Sequence, residues 1–357
     1  MKKIFLMTFI ILCSDKVFSC TNFQVKAKDG SVVIGRTMEF PIDLKSNIWL
    51  IPRGEQVTSI SNKKVKGLSW KTKYAFLAMD GFNIPGSFVD GINEKGLSVG
   101  GLVFNGTKYQ EAIPGNFVNN TDFGGWLLGN FATVEEVKKE LPKIKVSDKQ
   151  YKELHGSLLI HFDVTDASGK SIVVEFIDGE QKIHDNNVGV LTNSPDFSWQ
   201  LANLSNYINL QHNDQQPRAI NGYKIKPTGV GSGMLGLPGD WTPPSRFVKV
   251  AYTLDAALPA KDSIEAVNLA EHVMNMVDIP MGAIREKVNP LIHIYGYAQW
   301  SVLKDLKNKV LYFRTYDNIN LRKIEMNKLN LAEGAKRKSI AIYKQFPNAL
   351  DVTEHVQ

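Results

Sequence analysis

Cysteine is almost missing from this chain. Its 357 residues hold two, Cys13 and Cys20, too few and too close together for the disulfide frameworks that staple small exported domains. Beyond the stretch Ile4 to Cys13 there is no long apolar run, and that stretch falls short of the roughly 18 residues a transmembrane helix needs. Repeats, low-complexity tracts and Pro/Ser-rich linkers are also absent, so one domain is expected after the N-terminal segment. Charge is not one-sided: 42 Lys and Arg stand against 36 Asp and Glu, a net of +6. The basic residues are spread rather than clustered with aromatics, which excludes nucleic acid as the expected partner. The local run Lys336-Arg337-Lys338 reads as a solvated surface. The seven histidines are scattered, without the close His or Cys pairs of a zinc site, so neither a metal nor another cofactor is expected.

What is present begins at the N-terminus. Lys2 and Lys3 form a positive start, Ile4 to Cys13 an apolar core, and Ser14 to Ser19 a more polar end, with Val17 and Ser19 three and one residues before Cys20. This is the pattern of an export signal covering residues 1–19, removed to leave residues 20–357. The expected location is therefore periplasmic or secreted, without stable membrane insertion once the signal is gone. Cleavage takes Cys13 away and leaves Cys20 as the first residue. A cysteine at a free N-terminus carries a nucleophile and an α-amine base together.

Two other readings of Cys20 stand beside that one. Bacterial lipoproteins also begin at a cysteine after an apolar segment, which would make this an exported binding module anchored at Cys20, although Phe18 fits their recognition pattern poorly. A buried free cysteine can also serve as a small hydrophobe. The mass of the mature N-terminus separates a free amine from a lipid-modified one.

The remaining sequence, 43% hydrophobic and 22% charged, is ordinary globular material. Asn22 to Lys26 and Val32 to Gly35 flank the turn Lys28 to Ser31, so the new N-terminus starts in a hairpin. A second hairpin reads from Leu158 to Val164 and Ile172 to Ile177 around Asp166 to Gly169. Strands are expected at Ser98 to Phe104 and Gly189 to Leu191, with a late pair at Lys309 to Thr315 and Arg322 to Met326. Helices are fewer. Thr133 opens one with a capping box to Glu136, and Ser263 caps a longer one with the stripe Ile264, Val267, Ala270, Val273, Met274 and Met276. Runs of strands flanking runs of helices predict an α+β layered domain rather than a parallel α/β fold.

The chemistry can then be placed on these elements. Arg36 and Glu39 end the first hairpin, in Gly35-Arg36-Thr37-Met38-Glu39-Phe40, and the returning strand brings them near Cys20. A guanidinium beside a thiol favours the thiolate, and a carboxylate near the α-amine orients it. A surface ion pair would use the same two residue types. Cys20-Thr21-Asn22-Phe23 followed by Gly35 to Glu39 resembles the opening of the choloylglycine hydrolase family, which includes bile salt hydrolases and penicillin V acylases. The resemblance continues through Asp90 to Leu97, Leu191-Thr192-Asn193-Ser194-Pro195, Leu237 to Phe247, Thr315 to Asn318 and Met326 to Lys328, nearly the whole mature chain.

The resemblance implies a four-layer αββα sandwich of the N-terminal nucleophile hydrolase type, acting on linear amides other than peptides. It implies a nucleophile at Cys20, active-site arginines at Arg36 and Arg246, and an oxyanion-binding asparagine at Asn193; by local sequence alone Asn193 would be a turn residue. A homo-oligomer, a tetramer, is also implied. Two positions depart from the pattern: Glu39 stands where an aspartate is usual, and Val103 where Asn or Tyr is frequent. Val103 can offer an oxyanion its backbone N–H only.

The expected reaction is acyl transfer through a Cys20 thioester, the α-amine taking the thiol proton and returning it to the leaving amine. Unperturbed α-amines and thiols titrate at about 7.7–8.0 and about 8.5, so the transfer is nearly balanced. The partner is a small-molecule amide whose apolar acyl group would lie against Met38, Phe40, Phe82 and the Asn105 to Phe117 segment, read as loops beside the site. Without a polar side chain at Val103, penicillin V or a broader N-acyl amide is expected ahead of conjugated bile salts.

Overall fold

The computed structural model describes residues 19–81, 84, 86–151, 156–289 and 292–343. The segment 1–18, most of the expected signal, and Phe82 lie outside the described residues. Two large sheets carry the fold. In the first, the order is Val190–Leu191, Thr21–Lys26, Val32–Phe40, Ile292–Asp305, Val310–Thr315 and Asn318–Glu325, with Ile284–Asn289 pairing Ile292–Asp305 as the seventh strand. The second has eight strands, ordered Glu180–Asp185, Ser171–Ile177, Ile160–Thr165, Ser98–Val103, Phe88–Asn93, Phe76–Asp80, Asn47–Ile51 and Lys338–Ala341. Neighbours in both pair antiparallel.

Five α-helices lie among the described residues: α1 (Asn120–Asn130), α2 (Val134–Glu140), α3 (Phe197–Asn203), α4 (Pro243–Ala256) and α5 (Ser263–Asn275). Helix α1 packs on the eight-stranded sheet, while α4 and α5 pack on the seven-stranded one. The result is the expected αββα sandwich. Strands covered on both faces need not alternate. Val32–Phe40 is buried at every position despite its Arg36, Thr37 and Glu39, and Phe88–Asn93, Ser98–Val103 and Ile160–Thr165 are buried throughout as well.

Two glycines permit close approach, one within a sheet and one between layers. A Cβ on Gly35 would stand 2.3 Å from the Phe23 ring, which lies across the first hairpin. One on Gly124 would stand 2.2 Å from the Phe88 carbonyl oxygen, so α1 can lie flush on its sheet only with glycine there. That glycine-rich helix has no apolar stripe in its sequence.

Both expected hairpins are present, as Thr21–Lys26 with Val32–Phe40 and Ile160–Thr165 with Ser171–Ile177. Thr133 caps α2, its hydroxyl accepting from Glu136 N at 3.2 Å. The cap of α5 is corrected by one residue, because the Asp262 carboxylate accepts from Ile264 N and Glu265 N. Of the expected stripe, Ile264 points to solvent at 78% exposure and Met276, the C-cap, is also exposed, while Ala266 joins Val267, Ala270, Val273 and Met274 on the buried face. Within the stretch Leu237 to Phe247, Pro243 and Pro244 open α4, where a missing N–H does no harm.

Candidate active site

Sheet register assembles the site around Cys20. Thr21 pairs with Thr37 and Asn22 with Arg36 on one side of the first strand, and Asn22 pairs with Leu191 on the other. Two steps along that second register, Asn193 comes opposite Cys20; one step along the first, Met38 does. Helix α4 supplies Arg246 from the layer behind. Four residues distant in sequence, Cys20, Arg36, Asn193 and Arg246, thus meet at one sheet edge, and all are buried.

Cys20 is a free thiol. Its Sγ lies 3.7 Å from Met38 Sδ and 3.8 Å from Arg36 Nη2. Its backbone N–H donates to Asn193 Oδ1 at 2.5 Å, and its carbonyl accepts from Arg246 Nη1 at 2.6 Å. Arg246 also donates to Thr21 Oγ1 at 2.6 Å, to Asn193 Oδ1 at 3.0 Å and, through Nε, to the Trp241 carbonyl at 2.9 Å. Burial lowers the Arg246 pKa, and the charge of Glu39 opposes that shift. The other end of the Asn193 amide donates to the Val103 carbonyl at 2.8 Å, leaving its second N–H for another acceptor.

Arg36 is held by backbone as well as charge. Its Nη2 donates to the Gly101 carbonyl at 2.5 Å, and its Nη1 to the Val89 carbonyl at 3.2 Å and to Asp90 at 3.4 Å. Asp90 in turn accepts two contacts of 2.9 Å from Lys304 Nζ, and all three of these side chains are fully buried. Burial pulls the Lys304 pKa down while Asp90 resists. Lys304 carries no sequence signal, because a lysine inside a strand reads as surface until the second sheet is known to cover it.

Glu39 sits differently from its neighbours. Arg36 and Met38 face Cys20 Sγ, and strand alternation sends Thr37 and Glu39 to the opposite, helix-covered face. Burial pushes the Glu39 pKa up to about 8, opposed chiefly by the Arg246 charge and then by the nearby Thr37 hydroxyl. Neither Glu39 carboxyl oxygen has a hydrogen-bond partner among the described residues. The Cys20 N–H donates to Asn193 instead.

Val103 touches the site through its backbone. An extended residue sends its N–H and C=O to the same side, so the Val103 N–H faces the gap into which its carbonyl accepts from Asn193. Met38 and Phe40 are buried in Val32–Phe40, which corrects their expected place in loops. Of the Asn105 to Phe117 segment, the Asn105 N–H reaches Ser194 Oγ at 3.3 Å, next to Asn193. Among the described residues no group of three His, Cys, Asp or Glu side chains is placed to hold a metal ion, and no helix is long and apolar enough to cross a membrane.

Comparison with known proteins agrees with this geometry. The choloylglycine hydrolase family, described as linear amide C–N hydrolases, matches residues 20–353. A bile salt hydrolase/transferase of Clostridium perfringens is 37% identical over 319 residues, covering 87% of this chain and 94% of the relative. The crystal structure of a mutant conjugated bile acid hydrolase from the same organism superposes with a TM-score of 0.81 at 34% identity, over 93% of this chain and 98% of that one. A penicillin V acylase from Agrobacterium tumefaciens superposes with a TM-score of 0.73 at 27% identity, over 90% and 91%.

Proposed function

The chain belongs to the choloylglycine hydrolase family of linear amide C–N hydrolases, and from that premise we propose that it cleaves the amide of conjugated bile salts with Cys20 as an N-terminal nucleophile. The observation that carries the chemistry is Asn193, whose amide spans from the Cys20 nitrogen to the Val103 carbonyl. Its free N–H and the Val103 backbone N–H face the space where an oxyanion formed by Cys20 attack would develop. Two such donors act in a buried site without having to reorganise.

Removal of residues 1–19 frees the α-amine, a step supported by a family match that starts at Cys20. In this reading the freed amine takes the thiol proton and Sγ attacks the carbonyl carbon beside Arg36. The tetrahedral oxyanion accepts from Asn193 and Val103. The amine then protonates the departing nitrogen, and a water activated by the same amine releases the acid. Arg246 fixes the Cys20 carbonyl and Asn193 Oδ1, and Glu39 is the carboxyl available to the new α-ammonium from the helix side. Export to the periplasm or beyond belongs to the same reading.

The order expected from sequence, penicillin V ahead of bile salts, is reversed here. Bile salt hydrolases share more identity with this chain than the penicillin V acylase does, and Val103 meets Asn193 through a backbone atom that any side chain would leave in place. Penicillin V is the second reading, supported by the acylase superposition. Specificity constants for glycocholate, taurocholate and penicillin V on one preparation decide between them. A bile salt should lead by about tenfold or more, roughly 1.4 kcal/mol at the transition state; penicillin V ahead by that factor would reinstate the acylase reading.

A further inference from the structure

A histidine and a glutamate outside the groups named so far lie behind the oxyanion donors. His161 and Glu175 occupy adjacent strands, Ile160–Thr165 and Ser171–Ile177, one step along the register that pairs Phe162 with Val174. Both side chains are completely buried. His161 Nδ1 lies 2.9 Å from Glu175 Oε1, and His161 Nε2 lies 2.8 Å from the Thr192 carbonyl oxygen. The Glu175 carboxyl also accepts from the Phe197 N–H, at 3.1 and 3.2 Å to its two oxygens. The His161 ring stacks on Phe104, with centroids 4.9 Å apart and planes 18° apart.

These contacts reach both halves of the oxyanion site. Thr192 immediately precedes Asn193, and Phe104 immediately follows Val103. The segment that presents Asn193 is gripped at its two ends, the Thr192 carbonyl by His161 and the Phe197 N–H by Glu175. A carbonyl can only accept, so Nε2 carries a hydrogen, and a second proton is shared between Nδ1 and the carboxyl. That pattern fixes the ring orientation. Burying a polar pair in a sandwich core is at best weakly stabilising, and an apolar pair of similar volume often does as well. An apolar pair could not hold a backbone carbonyl and a backbone N–H in fixed positions.

We infer that His161 and Glu175 form a positioning pair that sets the Asn193 amide against the developing oxyanion. The inference rests on the proposed role of Asn193. The pair touches neither the thiol nor the substrate, and it acts through the Thr192–Asn193 peptide. Loss of His161 should therefore appear in the acylation rate rather than in substrate binding, and only while Asn193 is there to be positioned.

The test is a double-mutant cycle on the mature enzyme, read as kcat and KM for glycocholate, or for penicillin V where that is the faster substrate. His161→Leu should lower kcat by about tenfold or more with KM changed by less than about threefold, a size typical of displaced catalytic groups. In the Asn193→Ala background the same substitution should lower kcat by less than about threefold. His161→Gln, whose amide N–H can reach the Thr192 carbonyl, should recover most of the rate. Glu175→Leu removes the partner of Nδ1 and the acceptor for the Phe197 N–H, and it tests the clamp through the same cycle if His161→Leu does not fold: kcat should fall by about tenfold or more with Asn193 present and by less than about threefold in the Asn193→Ala background. Equal losses in both backgrounds, or a loss confined to KM, would overturn the inference while leaving the role of Asn193 intact. If Asn193→Ala itself keeps the wild-type rate, the oxyanion reading falls and this inference with it.

Discussion

The Cys20 N–H and the Arg246 guanidinium converge on a single atom, Asn193 Oδ1, at 2.5 and 3.0 Å. One amide thereby reads the position of Cys20 at its oxygen and offers its nitrogen to the space beside Val103. Asn193→Ala should cut the acylation rate by about a hundredfold to a thousandfold, with a smaller effect on KM. Single-turnover kinetics checks this. A loss in KM alone would make Asn193 a substrate contact.

Arg36 makes a second test, because its planar fork serves several acceptors at once: the Gly101 and Val89 carbonyls, Asp90 and Cys20 Sγ. A lysine keeps the charge and loses the fork. Arg36→Lys should lower kcat/KM at least about tenfold, in line with the ~1.5–3 kcal/mol of one charge-assisted hydrogen bond. Wild-type kinetics in that variant would reduce Arg36 to a point charge.

Glu39 gives a pH prediction for the uncleaved chain. Its folded pKa of about 8 lies above the ordinary 4.5, so between those values the folded state keeps a proton that the unfolded state releases. Its contribution to stability is fully present below about pH 4.5 and is lost as pH rises towards about 8, by at most about 1.4 kcal/mol per pH unit. Glu39→Gln cannot ionise. Thermal unfolding from pH 5 to 8 should show wild type losing ground steadily to the Gln variant, and a constant gap between the two would contradict the buried, unpartnered carboxyl.

Cys20 itself tests thiol chemistry. Cys20→Ser keeps the hydrogen-bonding backbone but replaces the thiol by a hydroxyl far harder to ionise, so only trace hydrolysis should remain. Cys20→Ala should fold and show none. Turnover by a purified Ala variant, measured on the same amide, would remove Cys20 from the reaction.

The sequence made the reactive centre legible and hid its supports. Cys20, Arg36, Asn193 and Arg246 stand in motifs that stay recognisable over long spans of chain, and sheet register brings them together. Counting in twos from Arg36 assigns Glu39 to the opposite face, whereas closeness along the hairpin does not distinguish the faces. Lys304, His161 and Glu175 gave no comparable signal, and Asp90, although it opens one of the motifs, gave none of its place between Arg36 and Lys304. Their burial depends on one sheet covering the other, and a strand buried on both faces loses the alternation that marks inside from outside. Helix α1 was hidden for a related reason: Gly124 is a helix-weakening residue in sequence and a requirement once Phe88 lies against it.

The central claim is that Cys20, with a free α-amine, carries the acyl group during turnover. The most direct measurement is the mass of the N-terminal peptide from enzyme acid-quenched during glycocholate hydrolysis. The account predicts a peptide that begins at Cys20, part of it bearing the cholyl group as a thioester that hydroxylamine removes. An enzyme that turns over substrate while its N-terminal peptide still begins before Cys20, or that carries the acyl group on another residue, would contradict it.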